Sequence, residues 1–265
     1  MQTPQPSDNW QFGNPYERYV GRWSRRVAPA FLAWLDIPAG RRWLDVGCGT
    51  GALCGAIIER HAPASLTGVE PSEGFLQIAR ETLPSQVVLH RGDAASLPLP
   101  DASVDVVVSG LVLNFVPDLD AALKEIARVA AEGAAIGAYV WDYAGKMELM
   151  RYFWDAAVAL DPAAVMLDEG RRFPLCHPDL LLARVSEAGF HDTEVSAIEV
   201  PTPFSSFQDY WEPFLGGQGP APAYAMSLAE AARGRLRDRL RALLPMQADG
   251  SIALVARAWA VRATA

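Results

Sequence analysis

Residues 44–51 read LDVGCGTG, a short apolar run that closes in a G-x-G-x-G turn. Residues 43–46 have the length and apolar content of a buried strand, and a helix is expected from about 51 to 61. Glycines at Gly47, Gly49 and Gly51 let the backbone turn sharply and let a ligand approach without Cβ interference. The spacing separates this turn from its commoner relatives. A dinucleotide fingerprint puts two residues between its last two glycines, and here there is one. No G-K-[ST] follows, which excludes a P-loop.

Working outward, an amphipathic helical stretch is predicted over 16–35, ended by Pro38-Ala39-Gly40. Beyond the glycine turn, strands are predicted at 66–69, 87–90, 104–109 and 134–141, with helices at 73–82 and 119–130. The run VDVVVS at 104–109 is near-continuously apolar, as in a strand buried on both faces. Such alternation means a parallel sheet with helices on both sides. In the last third, a helix is predicted at 178–188 and strands at 194–200 and 251–261. Their separation of about 50 residues is too long for a hairpin loop. Residues 201–250 therefore read as an insertion, containing FSSFQDYWEPF, LGGQGPAPA and a charged helix at 228–244. It is able to cover the open edge of the sheet, as a lid or as a packing element.

Two further motifs follow the turn. In GVEPS, residues 68–72, Glu70 lies about 20 residues past the glycines, where doubly wound nucleotide folds set an acid against ribose hydroxyls. In RGDAASLPLPDASVDVVVS, residues 91–109, Asp93 and Ala94 follow the third strand and Asp105 lies in the fourth.

Three motifs in this order, over about residues 43–141, resemble the class I S-adenosylmethionine-dependent methyltransferases. The resemblance implies an α/β fold: a Rossmann-like three-layer αβα sandwich on a seven-stranded, mostly parallel sheet whose last strand is antiparallel. It implies one domain over 1–265, with 1–38 as a helical cover, 39–141 as the cofactor half and 142–265 as the substrate half. The implied cofactor is S-adenosyl-L-methionine, leaving S-adenosyl-L-homocysteine. In that family the acid at the position of Asp93 bonds the adenine amine, and the N–H at Ala94 meets a ring nitrogen. The candidate cofactor residues are Asp45, Gly47, Cys48, Gly49, Glu70, Pro71, Ser72, Asp93, Ala94, Ala95, Ser109 and Leu111. Anchors for ribose and adenine are present and phosphate-binding features are not, which suits adenosine joined to a methionine sulfonium. In-line methyl transfer mainly needs an aligned nucleophile, so no catalytic residue is assigned.

The N-terminal helix resembles that of small-molecule methyltransferases of the ubiquinone-biosynthesis type. Tyr16, Tyr19, Arg22 and Trp23 fall at helical spacing. Tyr19 and Arg22 are added to the cofactor set, with Arg22 meeting the methionine carboxylate. The alternative is that the rings pack on the sheet and Arg22 is solvated. Where many such enzymes carry His-His, this chain has Asn114-Phe115, so Asn114 is expected either to orient a substrate or to cap a turn. His177 reads as the start of a helix. Trp141, Tyr143, Phe153, Trp154, Arg171 and Trp211, with Phe173, Tyr210 and Phe214 nearby, would line an aromatic pocket for a planar or lipophilic acceptor. The same rings would serve equally as a hydrophobic core.

Composition narrows the partners. A net charge of −8 over 265 residues repels phosphate backbones and anionic lipid, so neither nucleic acid nor membrane is expected. RGRLRDRLR at 233–241 is the one basic run, and it reads as a solvated helix face. Cys48, Cys54 and Cys176 form no metal-ligand spacing, so no metal is expected and a reducing compartment fits. No secretory signal or spanning run is found, so the expectation is a soluble cytoplasmic monomer or homodimer. The expected activity is methyl transfer to O, N or C of a small molecule by in-line displacement. The alternative is a cofactor-binding protein without transferase activity.

Overall fold

The computed structural model describes residues 17–217 and 219–265. A π-helical turn, Glu17–Gly21, leads into α1 (Arg22–Leu35), and the helical stretch foreseen from Tyr16 begins outside the described residues. Next come β1 (Arg42–Val46), α2 (Ala52–His61), β2 (Ser65–Glu70), α3 (Glu73–Thr82), β3 (Val88–Arg91) and β4 (Val104–Gly110). After α4 (Leu119–Val129) and β5 (Ala130–Trp141) come α5 (Glu148–Leu160), α6 (Glu169–Arg172), α7 (Pro178–Glu187) and β6 (His191–Phe204). The chain finishes with α8 (Phe207–Trp211), α9 (Pro220–Ser227), α10 (Glu230–Leu243) and β7 (Ile252–Thr264).

The seven strands lie in the order β3-β2-β1-β4-β5-β7-β6. β1 pairs in parallel with β2 and β4, β2 with β3 and β4 with β5, whereas β7 runs antiparallel to β5 from Ala258 to Thr264. This is the mostly parallel sheet that the alternation predicts, with the antiparallel last strand that the resemblance implies. Strand order reverses between β1 and β4, and doubly wound folds bind ligands outside the carboxyl ends of strands at such a point. Strand lengths differ from the sequence reading. β5 starts at Ala130 rather than 134, β6 spans 191–204 rather than 194–200, and β7 runs on to Thr264. The added residues of β5 include Glu132 and Gly133, which carry no strand signal alone; they lie in an irregular stretch between the Val104–Ala130 and Val106–Ala135 pairs, with Gly133 N–H on the Ala265 carbonyl.

The chain divides into two compact units. One comprises Ser24–Trp141, Leu175–Ile198 and Ala258–Ala265. In it Val104, Val106, Val107 and Val108 of β4 are all buried, as their continuous run foretells. The charged exception, Asp105, is bound by Arg42, whose Nη2 donates to Oδ1 at 2.7 Å and whose Nε donates to Oδ2 at 3.1 Å. Those hydrogen bonds hold the Asp105 carboxyl down to about 2. Asp105 thus ties β4 to β1.

The other unit comprises the chain up to Trp23, Asp142–Pro174 and Glu199–Arg257. Asp142 anchors it by accepting from Arg257 Nε at 2.7 Å and from the backbone N–H groups of Gly145 and Lys146. Its centre is a group of rings: Phe153 stacks on Phe214 at 4.5 Å, Tyr19 meets Phe214 edge-on at 5.4 Å, and the Tyr210 hydroxyl donates to the Leu149 carbonyl. The stretch foreseen as one insertion, 201–250, is the end of β6 followed by three helices.

α1 lies close on β5, and Gly137 is what allows it. A Cβ there would sit 2.9 Å from Phe31 and 3.0 Å from Leu35. Gly137→Val therefore overpacks a close contact and is expected to cost about 1–3 kcal/mol. Urea denaturation with unchanged far-UV circular dichroism is the measurement, and a neutral result would mean that α1 does not hold this position.

Candidate functional site

At the end of β1 the chain reverses over the end of β2. The N–H groups of Gly47 and Cys48 both donate to the Val69 carbonyl, at 2.7 and 3.1 Å. Gly47 has φ +76°, and a Cβ on it would lie 2.5 Å from Val112. Gly49 is also left-handed, at φ +55°, but nothing lies within 4 Å of where its Cβ would be. Gly47 is thus demanded by packing, and Gly49 borders open space in which a ligand can approach the backbone.

Glu70 fixes that turn. Its Oε2 accepts from Gly49 N–H at 3.1 Å and its Oε1 from Ser72 N–H at 2.9 Å. Burial pushes its carboxyl up, and the two backbone donors pull it back down. Each oxygen keeps a second lone pair for an incoming hydroxyl. Ser72, foreseen as a cofactor contact, spends its hydroxyl capping α3, where it accepts from Phe75 N–H. Pairing of Glu70 with Arg91 across β2 and β3 sets Gly92-Asp93-Ala94 beside Pro71-Ser72. Asp93 is exposed, and its Oδ1 accepts from Ala95 N–H at 2.8 Å. Pro71, Ser72, Asp93, Ala94 and Ala95 are thereby neighbours.

Behind the turn the polar groups are buried. Asp45 accepts from the Cys54 thiol at 3.2 Å through Oδ2, while Oδ1 has no partner. Burial raises its carboxyl to about 7. The Ser109 hydroxyl donates to the Val46 carbonyl at 2.8 Å and so clamps β4 to β1. Leu111, just past β4, is held at φ +64° with its N–H on the Tyr139 carbonyl. That conformation is costly for a branched residue and belongs to sites that the surrounding structure over-determines. Asn114 follows. Neither atom of its amide has a partner or meets solvent.

In the other unit, Tyr19, Tyr143, Phe153, Trp154 and Trp211 are all buried, whereas Arg171 is exposed at the end of α6. Arg22 donates to Asp209 at 2.8 Å and lies over the rings of Trp23 and Phe204, leaving Nε and Nη2 buried without partners. Trp141 belongs to the first unit, buried at the end of β5. The sequence reading overlooked Glu169, a buried carboxyl that Trp154 Nε1 hydrogen-bonds. It stands in DEGRRF, where the reading took up Arg171 and Phe173 but not the acid, and only tertiary packing distinguishes it.

The residues around the turn fit an adenosine better than a phosphate. Open space beside Gly49 and a fixed carboxylate suit ribose hydroxyls, and Glu70 and Asp93 would repel an anion. Among the described residues no helix is long and apolar enough to cross a membrane.

Comparison with known proteins agrees with this geometry. Residues 44–137 match the methyltransferase domain family. A demethylmenaquinone methyltransferase of Staphylococcus aureus is 37% identical over 117 residues, which are 43% of this chain and 47% of that one. The match thus spans about half the length of that relative. The YcgJ protein of Bacillus subtilis has the same fold at a TM-score of 0.57 and 17% identity, over 90% of this chain and 97% of that one. A Haemonchus contortus phosphoethanolamine N-methyltransferase, solved with S-adenosylhomocysteine, superposes at a TM-score of 0.57 and 16% identity, over 95% of this chain and 57% of that one.

Asp45 makes stability depend on pH. Its carboxyl binds a proton more tightly folded, at about 7, than at its ordinary 3.8, so its contribution is full at low pH and is lost as pH rises through about 7. The expected decline between those values is at most about 1.4 kcal/mol per pH unit. Urea titrations of wild type and Asp45→Asn should diverge in that window, with the variant flatter. Parallel curves would mean that Asp45 is charged throughout.

Proposed function

We propose that this chain, whose residues 44–137 match the methyltransferase domain family on a class I fold, transfers the methyl group of S-adenosyl-L-methionine to a small-molecule acceptor. The observation that carries this is the Glu70 carboxylate, bound to Gly49 N–H at 3.1 Å beside a turn open to a ligand. Glu70 would accept the ribose hydroxyls, Asp93 the adenine amine, and Ala94 N–H would donate to a ring nitrogen. Gly47, Cys48 and Gly49 would offer bare backbone to the ligand, and Arg22 remains a proposed partner of its carboxylate. The bound cofactor supplies an electrophilic methyl group. The protein then needs to align a nucleophile and exclude water, work that rests on position rather than on a strong base.

Asn114 supports an acceptor at the carboxyl end of β4. An amide kept from solvent with all its hydrogen bonds unmade costs stability, and a ligand that supplies partners removes that cost. The other candidate contacts, Trp141, Tyr143, Phe153, Trp154, Arg171 and Trp211, remain part of the proposed substrate half. A cytoplasmic location, with the chain as monomer or homodimer, accompanies this reading.

Calorimetry with S-adenosylhomocysteine tests the cofactor. Wild type should bind, and Asp93→Ala should weaken binding by about 1–3 kcal/mol, the loss of one good hydrogen bond. No binding by folded wild type would overturn the proposal. Tight binding with no turnover across a broad acceptor panel would leave a cofactor-binding protein instead.

Asn114→Leu separates function from stability. Replacing an unsatisfied amide by an apolar group of similar size should raise the stability of the ligand-free protein by about 1 kcal/mol, with cofactor affinity unchanged. A drop in thermal midpoint would show that the amide is satisfied in the folded chain.

A further inference from the structure

Glu169 opens α6 and is 2% exposed. Its Oε2 receives the indole N–H of Trp154, while its Oε1 is buried with no partner. The other buried carboxylates of the same unit are treated differently. Asp168, its chain neighbour, has both oxygens on Arg151, at 2.7 and 3.2 Å, and also accepts from Gly170 N–H. Asp142 accepts from Arg257, Gly145 and Lys146. A carboxyl with a purely structural task in this unit is fully bonded. Glu169 is not.

The residue that bonds Glu169 sits among rings. Trp154 lies against Phe153 at 5.2 Å and Tyr224 at 5.7 Å. Burial raises the phenol of Tyr19, from the N-terminal segment, well above the usual range, and the Glu169 carboxyl adds to the rise. Asp168, neutralised by Arg151, and Arg172 are the remaining charged groups that bear on Glu169, from its own turn. Burial pushes the Glu169 carboxyl up to about 8, so at neutral pH it is mostly protonated.

We propose that Glu169 is the recognition group for a protonated amine, its Oε1 taking the ammonium N–H. An oxygen of a buried carboxyl left without a partner is completed by a cationic donor, which brings a hydrogen bond and a countercharge together. A hydroxyl would offer one hydrogen bond but no charge to meet the carboxylate. On the reading that the chain is a methyltransferase, its substrate then carries an amine. Binding exchanges one cation for another: the ammonium enters, the Glu169 O–H bond breaks, and that proton leaves to solvent.

The test is calorimetry on the full chain saturated with S-adenosylhomocysteine, using arylalkyl primary amines and their matched alcohols, phenethylamine and 2-phenylethanol first. Wild type should prefer the amine by about tenfold or more, a preference of the size that a desolvated ion pair gives. At pH 7, runs in buffers of different ionisation enthalpy should show about one proton released per amine bound, falling towards none above pH 9. Glu169→Gln, which retains an acceptor for the Trp154 N–H, should lose the preference and the proton release while still binding S-adenosylhomocysteine.

Alcohols binding as well as amines, amine binding without proton release, or no amine bound across the set would each overturn the assignment. The wild-type proton count stands even if the variant fails to fold. Failure of S-adenosylhomocysteine itself to bind would instead overturn the methyltransferase reading.

Discussion

The bridge made by the Glu70 carboxylate sets the geometry of the candidate cofactor site. One oxygen holds the Gly49 N–H of the β1 turn and the other holds the Ser72 N–H that begins α3. Two loops from adjacent parallel strands are thereby fixed by one side chain, next to the switch point between β1 and β4. The bridge orients the carboxylate as well as the loops, because backbone donors occupy fixed directions. Pairing of β2 with β3 then sets Asp93 in place by register.

The sequence makes this half legible because each step is local. A buried strand announces itself by a run of apolar residues, a turn by glycines, and the switch point by strand–helix alternation. LDVGCGTG, GVEPS and VDVVVS each carry a meaning within eight residues. Elsewhere the deciding contacts are distant in sequence. The extension of β5 back to Ala130 and of β6 out to Phe204 comes from sheet pairing and burial, and nothing in the segments themselves foretells it. The rings at 143, 153, 154, 210, 211 and 214 were recognisable as apolar, but their partners were not. Glu169 and Asp209 were the least visible, being acids in polar-looking runs whose roles are set by Trp154 and Arg22.

Burial of carboxylates divides the chain's acids by task. Among the described residues Asp45, Glu70, Asp142, Asp168 and Glu169 are buried. A charge removed from water needs a partner, and removing that partner from a buried pair costs several kcal/mol. Asp142 and Asp168 have arginines, and they hold loops. Glu70 has two backbone donors, which is enough to keep it ionisable while leaving lone pairs to spare.

Asp45 and Glu169 each keep an oxygen with no partner, and in both burial raises the carboxyl, to about 7 and about 8. Retaining a proton is how an unpaired buried acid avoids the cost of its charge. The two differ in their surroundings. Asp45 backs onto the Cys54 thiol beneath the glycine turn, a weak donor that neither fixes a charge nor demands one. Glu169 takes the Trp154 indole N–H on one oxygen and leaves the other for a donor that brings its own charge. A fold selecting only for stability would have replaced either with an apolar or amide residue. At Glu169 an incoming ammonium would offset that cost, whereas at Asp45 the retained proton suffices.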